Sequence, residues 1–506
     1  MTSPAVGLSA IALAFPPYRV ELQDWCQWTG NDWSKVQAVV GRSFRLAGPD
    51  QNVYTLAATA VLRLIVQSGI DPQRVGLLAL GTESSTDNAI GAVIVRGLVD
   101  EALRQLGRPT LARACEVPEY KHACLAGVYA LKGALRWLQT DGQGKQAIVV
   151  CGDLATYERG STGEQTQGAG AVAMLLEGNP QIAAIDLRQS GSSSAYRAVD
   201  FRKPSRRFFA PDYPAVAPGA QPHDYPVFNG KYSTTCYLDA TLTALSDLYA
   251  KRQSGGTEAQ EPASLYEDMA AVLLHRPYQH MPLSGMATLW VQALALSPSR
   301  SADLEQLAAL AGVSAADIRA ECQNSPDVWQ QASATQSLDL EPYPATQKAV
   351  RALRQTADYR TMVQGKLALG SAVAAEFGNL YTASLPAWLA AALAEAAEQP
   401  DAADRAGQQW LAIGYGSGDA AEAFALTLQP GWQAAASQIN LAGALAGSVD
   451  LTQTHYHALH DGQRPDDLPA VTLPFAIASV GKRRDRSLSD IGIDYFAVHA
   501  TAQAGK

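Results

Sequence analysis

The chain has 506 residues, of which 47% are apolar and 17% charged, a composition typical of a globular protein with a large core or two fused halves. Its net charge of −9, without any dense run of Lys and Arg, argues against a general nucleic-acid-binding protein. No apolar run is long enough to span a bilayer and the N-terminal residues lack a signal-peptide pattern, so we expect a cytoplasmic protein with no membrane partner.

Apolar runs of strand length alternate with helix-like runs through the first part of the chain. Residues 1–20 predict a first strand, and residues 75–84, 146–155 and 169–178 predict further buried strands because each is almost continuously apolar. The run "LAGVYALKGALRWLQ" (125–139) has apolar residues at helical spacing and predicts a helix. This alternation predicts an α/β architecture.

The same pattern returns late in the chain. The stretch "YEDMAAVLLHRPY" predicts a strand that ends at a histidine, and "GNLYTASLPAWLAAALAEAAEQ" predicts a strand, a turn and a helix. Residues 410–428 predict two strands joined by a Gly-rich turn. Residues 251–264 predict a flexible turn.

Two irregular regions interrupt the alternation. Residues 201–226 are rich in Pro and aromatic residues and begin with basic residues, which predicts a packed loop near a functional site. Residues 299–323 predict a helical hairpin, with Ser301 or Asp303 capping its first helix and Ser314 capping its second.

Three residues lie just after an apolar strand or just before a helix. They are Glu83 in "LGTESSTD", Cys124 in "KHACLAG" and His275 in "LLHRPY". A carboxylate, a thiol and an imidazole are the groups that covalent thioester chemistry requires. A helix N-terminus favours a thiolate and can hold an oxyanion, because its backbone N–H groups are unpaired and the helix dipole is positive there. The pattern therefore indicates Cys124 as a candidate nucleophile.

Each of these residues also has a structural explanation. A lone Cys in an apolar stretch is often a core residue, a His after a strand is often a structural hydrogen-bonding group, and Glu83 is able to cap a turn. The six cysteines form no C-x-x-C pair and have no His at metal-ligand spacing, so we expect reduced thiols and no metal site. The Gly-rich stretch 414–424 lacks the Lys-Ser/Thr ending of a phosphate loop and favours a tight hairpin or a close approach of backbone to substrate.

Seven stretches occur in the order found in one enzyme family. They are "GTESSTD", "YKHACLAGVYAL", "GDLATYERGSTGEQTQGAGAVAMLLEGNP", "NGKYSTTCYLDA", "LLHRPYQHMP", "FGNLYTASL" and "GYGSGDAAEAF". Through them the chain resembles the 3-hydroxy-3-methylglutaryl-CoA synthase family of the thiolase superfamily. The resemblance implies a homodimer with a thiolase-like fold, in which two similar α/β halves form α-β-α-β-α layers. The implied halves are residues 1–185 and 186–506, with insertions near 201–226 and 299–360.

The resemblance also implies roles for single residues. Cys124 is expected to take the acetyl group, Glu83 to remove a methyl proton from it and later protonate the new alkoxide, and His275 to position and polarise the β-ketothioester acceptor. The implied substrate-binding residues are Asn379, Tyr381, Gly416, Ser417 and Gly418. The implied donor is acetyl-CoA or an acetyl carrier protein, and no metal or organic cofactor is expected.

Two positions depart from the family pattern. Leu125 replaces an aromatic residue that many members have after the nucleophile, and His280 replaces a Lys of many coenzyme A-using members. Members that build β-branches on polyketide chains also lack that Lys and use acyl carrier proteins, which favours a carrier-protein acceptor here. The stretch "FRKPSRRFF" adds the hypothesis of a docking patch for a carrier protein or a pantetheine phosphate, with a solvated loop as the alternative. Its basic residues are Arg202, Lys203, Arg206 and Arg207.

Two other functions stay open from the sequence. A ketosynthase-like or thiolase-like acyltransferase would use Cys, His and Asn and would not need Glu83. A non-catalytic scaffold would retain the fold without the chemistry, although the presence of Glu83, Cys124 and His275 together argues against it. The acceptor and the pathway, either mevalonate supply or secondary-metabolite assembly, also stay open.

Overall fold

The computed structural model describes residues 5–85, 87–203, 225–226, 229–254, 260–324 and 326–499. The strands are β1 Val6–Ala14, β2 Tyr18–Glu21, β3 Ser43–Leu46, β4 Val75–Gly81, β5 Glu119–Tyr120, β6 Gln146–Ala155, β7 Gly168–Gly178, β8 Ala183–Ile185, β9 Gly191–Ser194, β10 Ala271–Leu274, β11 Gln409–Gly416, β12 Ala420–Leu428, β13 Val449–Asp450, β14 Phe475–Val480 and β15 Asp494–Val498. The α-helices are α1 Leu22–Thr29, α2 Trp33–Val39, α3 Val53–Gln67, α4 Gly91–Gln105, α5 Ala126–Gln139, α6 Gly230–Ser254, α7 Pro262–Asp268, α8 His280–Leu296, α9 Ser301–Ala311, α10 Ala315–Gln323, α11 Val328–Thr335, α12 Pro344–Leu353, α13 Ser371–Ala374, α14 Ser384–Glu398, α15 Trp432–Ala436, α16 Leu441–Leu445 and α17 Gln453–His460.

A large mixed sheet runs through the centre of the molecule. Its strand order is β10-β11-β12-β8-β1-β7-β6-β4-β5, and β9 pairs with β12. The pairs β4–β6 and β10–β11 are parallel, so β4 and β6 end at one edge of the sheet and β10 and β11 likewise end together. The predicted α/β class is confirmed, and the proposed boundary between two halves stays a prediction.

Helices cover both faces of this sheet, which is why its long central strands β4, β6 and β7 are almost continuously apolar. Leu77 and Ala79 of β4 belong to a core that includes residues of α5 and α14. Leu78 and Leu80 belong to a second core formed with α3 and α4. Alternate residues of one strand therefore fill opposite cores, as the two-residue period of a β-strand requires.

Most of the predicted elements are confirmed. The strands predicted at 75–84, 146–155 and 169–178 are β4, β6 and β7, and the helix predicted at 125–139 is α5. Ser314 caps α10, because its side chain accepts a hydrogen bond from the Asp317 N–H.

Three local predictions are wrong. Neither Ser301 nor Asp303 is an N-cap, because a short 3₁₀ turn leads directly into α9 and both residues lie within the helix. The flexible turn predicted at 251–264 is wrong at both ends, because residues 251–254 belong to α6 and residues 262–264 belong to α7, while residues 255–259 lie outside the described residues. No strand forms at 378–380, where Gly378 has φ +73° and the side chain of Asn379 accepts the N–H of Tyr381. That local hydrogen bond forms a turn in place of the extended backbone.

Among the described residues, no helix is both long enough and apolar enough to cross a bilayer. The central part of the insert predicted at 201–226 lies outside the described residues. The insertion predicted near 299–360 is helical and contains α9, α10, α11 and α12.

Candidate active site

Four of the residues indicated by the sequence lie around one cavity of about 180 Å³, whereas Glu83, Tyr381, Gly416 and Gly418 are not among the residues that line it. Cys124, His275, Asn379 and Ser417 all line it. They come from segments far apart in the chain: the loop before α5, the end of β10, the turn before α14 and the turn between β11 and β12. Convergence at the carboxyl ends of strands is the usual way in which an open α/β sheet forms a site.

Cys124 is held in a tight loop immediately before α5. Ala123 has φ +41°, and the helix begins two residues after Cys124. Leu125 is fully buried and packs against Gly414 and Gly416 at the end of β11. A Cβ atom on Gly416 would lie 2.8 Å from the Leu125 Cβ and 2.8 Å from the His122 carbonyl oxygen. Glycine at 416 therefore allows the Ser417 turn to approach the nucleophile loop.

Glu83 lies beside the thiol. The Cys124 Sγ atom is 3.6 Å from Glu83 Oε2, within the hydrogen-bond range of sulfur. Burial, followed by the nearby Asp153 carboxylate, raises the pKa of Glu83 to about 8. Lys203 and Lys121 oppose this shift and lower the pKa. A carboxyl group with such a pKa exchanges protons near neutral pH, as a catalytic acid and base must.

The protonation of Cys124 differs from the expectation of a helix-stabilised thiolate. Burial, and then the neighbouring Glu83 carboxylate, raise the pKa of Cys124 well above its usual value. The thiol is therefore protonated at rest, because the desolvation and the adjacent acid outweigh the helix N-terminus. Attack on a thioester requires the proton to leave as the substrate binds, and Glu83 is placed to receive it.

His275 is a neutral imidazole. Burial lowers its pKa to about 3, so the ring carries no charge at physiological pH. Its backbone N–H donates to the Ile413 carbonyl at 2.8 Å, and the Tyr237 hydroxyl donates to the His275 carbonyl at 3.4 Å. A rigidly held neutral imidazole can donate a hydrogen bond to a ketone oxygen without placing a buried charge beside it.

The turn at 379–384 contributes Asn379 to the lining of the cavity. The Asn379 side chain accepts hydrogen bonds from the Tyr381 N–H at 2.9 Å and from the Ser384 hydroxyl at 3.1 Å. Its amide donates to the Tyr157 hydroxyl at 3.2 Å. Tyr157 also lines the cavity. The three bonds fix the orientation of the Asn379 side chain at the cavity.

The three residues predicted in the Gly-rich turn differ in their environment. Ser417 lines the cavity and Gly416 packs against Leu125. The backbone N–H of Gly418 donates to Asp419 Oδ1 at 2.8 Å. That N–H is therefore already bonded within the protein, and of the three predicted residues Ser417 is the one that lines the cavity.

Asp153 is a site residue that sequence reasoning missed. It is fully buried, and one of its oxygens accepts the Glu83 N–H at 2.8 Å together with the Ser84 N–H and hydroxyl and the Thr82 hydroxyl. Its other oxygen accepts from the N–H and hydroxyl of Thr382. A buried carboxylate needs such partners. The one sequence signal was an acidic residue inside the apolar run of β6.

The predicted docking residues are only partly described. Arg202 is exposed, whereas Lys203 is half-buried and close enough to Glu83 to lower its pKa. Arg206 and Arg207 lie outside the described residues. The position that differs from the family Lys has a cation beside it, because the guanidinium of Arg354 lies 3.4 Å from the His280 ring.

The fold and this cavity together define a condensing acyltransferase of the thiolase-like class. Family models described as the N-terminal and C-terminal regions of hydroxymethylglutaryl-coenzyme A synthase match residues 3–181 and residues 207–322 and 307–461. The chain therefore belongs to the hydroxymethylglutaryl-CoA synthase family.

Individual relatives agree with this assignment. The hydroxymethylglutaryl-CoA synthase of Haloferax volcanii is 27% identical over 416 residues, which are 81% of this chain and 80% of the relative. The solved structure of MvaS in complex with 3-hydroxy-3-methylglutaryl coenzyme A has a TM-score of 0.73 at 26% identity and covers 98% of this chain and 99% of its own. The curacin-pathway HMG synthase in complex with apo donor-ACP has a TM-score of 0.63 at 18% identity, with 90% and 88% covered, and shows the shared fold.

Proposed function

We propose that this protein transfers an acetyl group to Cys124 and joins its methyl carbon to the ketone of an acetoacetyl thioester, giving a 3-hydroxy-3-methylglutaryl thioester. The observation that carries the proposal is the 3.6 Å contact between the Cys124 thiol and a carboxyl group whose pKa is about 8, at a cavity walled by His275. The Cys124 thiol would carry the acetyl group, and the adjacent Glu83 carboxyl group would carry the proton.

The chemistry follows from these groups. The Cys124 thiol attacks the donor thioester and releases the donor thiol, so the acetyl group stays a thioester with acidic methyl protons. Ionised Glu83 takes one methyl proton, and the carbanion adds to the acceptor ketone that His275 polarises. The protonated Glu83 returns its proton to the new alkoxide, and water then releases the product from Cys124. No step needs a metal or an organic cofactor.

The acyl thioesters are carried on a pantetheine group, either that of coenzyme A or that of an acyl carrier protein, and these two carriers are called the handles below. The missing family Lys at His280 supports a carrier protein. The exposed Arg354 next to His280 supports coenzyme A, because it supplies a cation for a phosphate at the same place. Solved relatives exist with each kind of partner. MvaS was solved with 3-hydroxy-3-methylglutaryl coenzyme A, and the curacin-pathway HMG synthase was solved with a donor carrier protein. We also propose a cytoplasmic homodimer.

An intact-mass assay tests the proposal and distinguishes the two handles. The enzyme receives acetyl-CoA together with equal amounts of acetoacetyl-CoA and acetoacetyl carrier protein. A mass increase of one acetyl group that is absent in Cys124→Ala, followed by a hydroxymethylglutaryl product on one of the two handles, supports the proposed reaction. A Glu83→Gln variant should accumulate the acetyl-enzyme. Condensation at the parent rate in that variant would overturn the assignment of Glu83.

A further inference from the structure

Behind the His275 wall lies a buried acidic cluster that the proposed reaction does not use. Asp200, Cys236 and Asp419 each present a ligand-type atom, and these atoms lie within 4.8 Å of one another. All three residues are at most 3% exposed. The Tyr415 hydroxyl lies between the carboxyl groups, 2.9 Å from Asp200 Oδ2 and 2.7 Å from Asp419 Oδ1.

This arrangement requires one proton more than two ionised carboxylates and a neutral tyrosine would carry. A tyrosine hydroxyl has one hydrogen and can donate a full bond to one acceptor only. If both carboxyl groups were ionised, the second short contact to Tyr415 would join two acceptors with no hydrogen between them. One of the two carboxyl groups must therefore be protonated and donate to the tyrosine oxygen.

The surroundings of Asp419 indicate where that proton resides. Its Oδ1 accepts the Gly418 N–H at 2.8 Å, and its Oδ2 lies 3.3 Å from the Arg197 guanidinium. Both contacts favour the ionised form of Asp419, but burial and the nearby Asp200 carboxyl group oppose them. Burial, and then the nearby Asp200, raise the pKa of Asp419 to about 7, so the Asp419 carboxyl group holds the extra proton below that pH and donates it to the Tyr415 oxygen, while the Tyr415 hydroxyl donates to Asp200.

The other charged and titratable groups around the pair do not remove the need for this proton. Arg197 also forms an ion pair with Asp239 of α6, and this second carboxylate neutralises much of the positive charge of Arg197. Tyr343 donates to the same Asp239 at 2.6 Å. Cys236 and Tyr232, also on α6, both have their pKa raised by burial and stay neutral.

A metal ion fits this cluster less well than a proton does. Asp419 already faces a guanidinium, and a divalent cation at the three ligand atoms would lie close to that positive charge. A metal would also have to displace the Tyr415 hydrogen bonds.

We propose that Asp200 and Asp419 share one proton around the Tyr415 hydroxyl, and that this protonated pair makes Asp419 a positioning residue for the His275 wall of the cavity. Tyr415 lines the cavity, and its ring centroid lies 6.2 Å from that of His275 and 5.1 Å from that of Tyr237. Loss of the shared proton leaves Tyr415 with one partner, so the ring that packs against His275 loses half of its anchor. This deepens the proposed function and rests on it for its effect on rate.

Infrared difference spectroscopy tests the shared proton without any turnover. The full-length Glu83→Gln protein serves as the parent, because that change removes the other carboxyl group with a pKa near neutrality. We expect a protonated-carboxyl C=O band below about pH 7 that is lost on deprotonation and is absent in both Asp419→Asn and Asp200→Asn. A band that survives unchanged in both variants would overturn the proposal. A band abolished by added Zn²⁺ in the parent but not in a Cys236→Ser variant would also overturn it, in favour of a metal site.

Condensation rates test the positioning effect in the enzyme with Glu83 intact. Asparagine at 419 can donate to Tyr415 at every pH, so we expect the ratio of the Asp419→Asn rate to the wild-type rate to rise about tenfold or more from about pH 6 to pH 9. If the Asn variants melt below the assay temperature, Tyr415→Phe, which keeps the ring and removes the shared hydroxyl, should show a lowered rate at low pH. A constant ratio, or a Tyr415→Phe profile identical to wild type, would refute the positioning effect. Absence of condensation in the wild type would refute the proposed function and leave the infrared result standing.

Discussion

The pKa of Glu83 leads to a prediction about one elementary step, the removal of a methyl proton from acetylated Cys124. If the pKa is about 8, then about a tenth of Glu83 is ionised at pH 7 and about nine tenths at pH 9. Exchange of the acetyl methyl protons with solvent should therefore increase about tenfold across this range. The hydrogen bond from the Cys124 thiol lowers the pKa of Glu83. Because acetylation removes this bond, the midpoint should lie at or slightly above about pH 8.

The assay is deuterium incorporation into the acetyl-enzyme, followed by intact mass in D₂O with acetyl-CoA as donor and no acceptor. Because no acceptor is present, neither His275 nor the Tyr415 wall takes part in the measured step. Glu83→Gln is the matched control, since it should acetylate but not exchange. A midpoint below about pH 6, as for an ordinary carboxyl group, would refute the reasoning, and so would exchange at the parent rate in Glu83→Gln.

The same pKa has a consequence for stability. The folded-state pKa of Glu83 is raised from 4.5 to about 8, so the folded protein disfavours the ionised form and loses stability as the pH rises through this interval. Between about pH 6 and pH 9, the free energy of unfolding of Glu83→Gln should increase relative to that of the parent. The upper bound on this increase is about 3 kcal/mol, and we expect a smaller value because Glu83 is only half-buried and solvent screens its charge. Chemical denaturation at the two pH values measures this difference. An unchanged difference would contradict the raised pKa.

Three further predictions concern the walls and the mouth of the cavity. Gly416→Ala places a Cβ 2.8 Å from the Leu125 Cβ, and we expect a loss of about 1–3 kcal/mol in thermal unfolding together with slower acetylation; an unchanged melting temperature would contradict the close packing. Arg354→Ala should raise the KM for a coenzyme A substrate with little change in kcat, whereas Arg351→Ala, on the last turn of the same helix, should not; equal effects would exclude a phosphate contact. Because burial lowers the pKa of His275 to about 3, its ring ¹⁵N signals should not titrate between about pH 5 and pH 9, and a midpoint near 6.5 would show that the ring is solvated.

The sequence predicted the parts of the molecule in which local pattern and tertiary environment agree. Strands β4, β6 and β7 are buried on both faces, so each is recognisable as an apolar run. Cys124 was recognisable because a loop and a helix meet there. These features depend on neighbouring residues and need no knowledge of distant contacts.

The remaining features depend on contacts between distant segments. Asp153 is part of the site because Thr382, which is 229 residues away, donates two hydrogen bonds to it. The carboxyl group of Asp419 takes its environment from Arg197 and Asp200. The raised pKa of Cys124 likewise comes from burial and from Glu83 across the fold, and it reversed the expectation drawn from the helix N-terminus.

Asp153 also limits how this cavity can be changed. One of its oxygens holds the backbone that carries Glu83, and the other holds Thr382, three residues from Asn379. The backbone that carries Glu83 and the turn that contributes Asn379 to the cavity are therefore connected through one buried carboxyl group. A substitution in the 379–384 turn that enlarges the cavity for a bulkier acceptor will shift Glu83 as well, so a broader substrate range and the alignment of the base must be adjusted together.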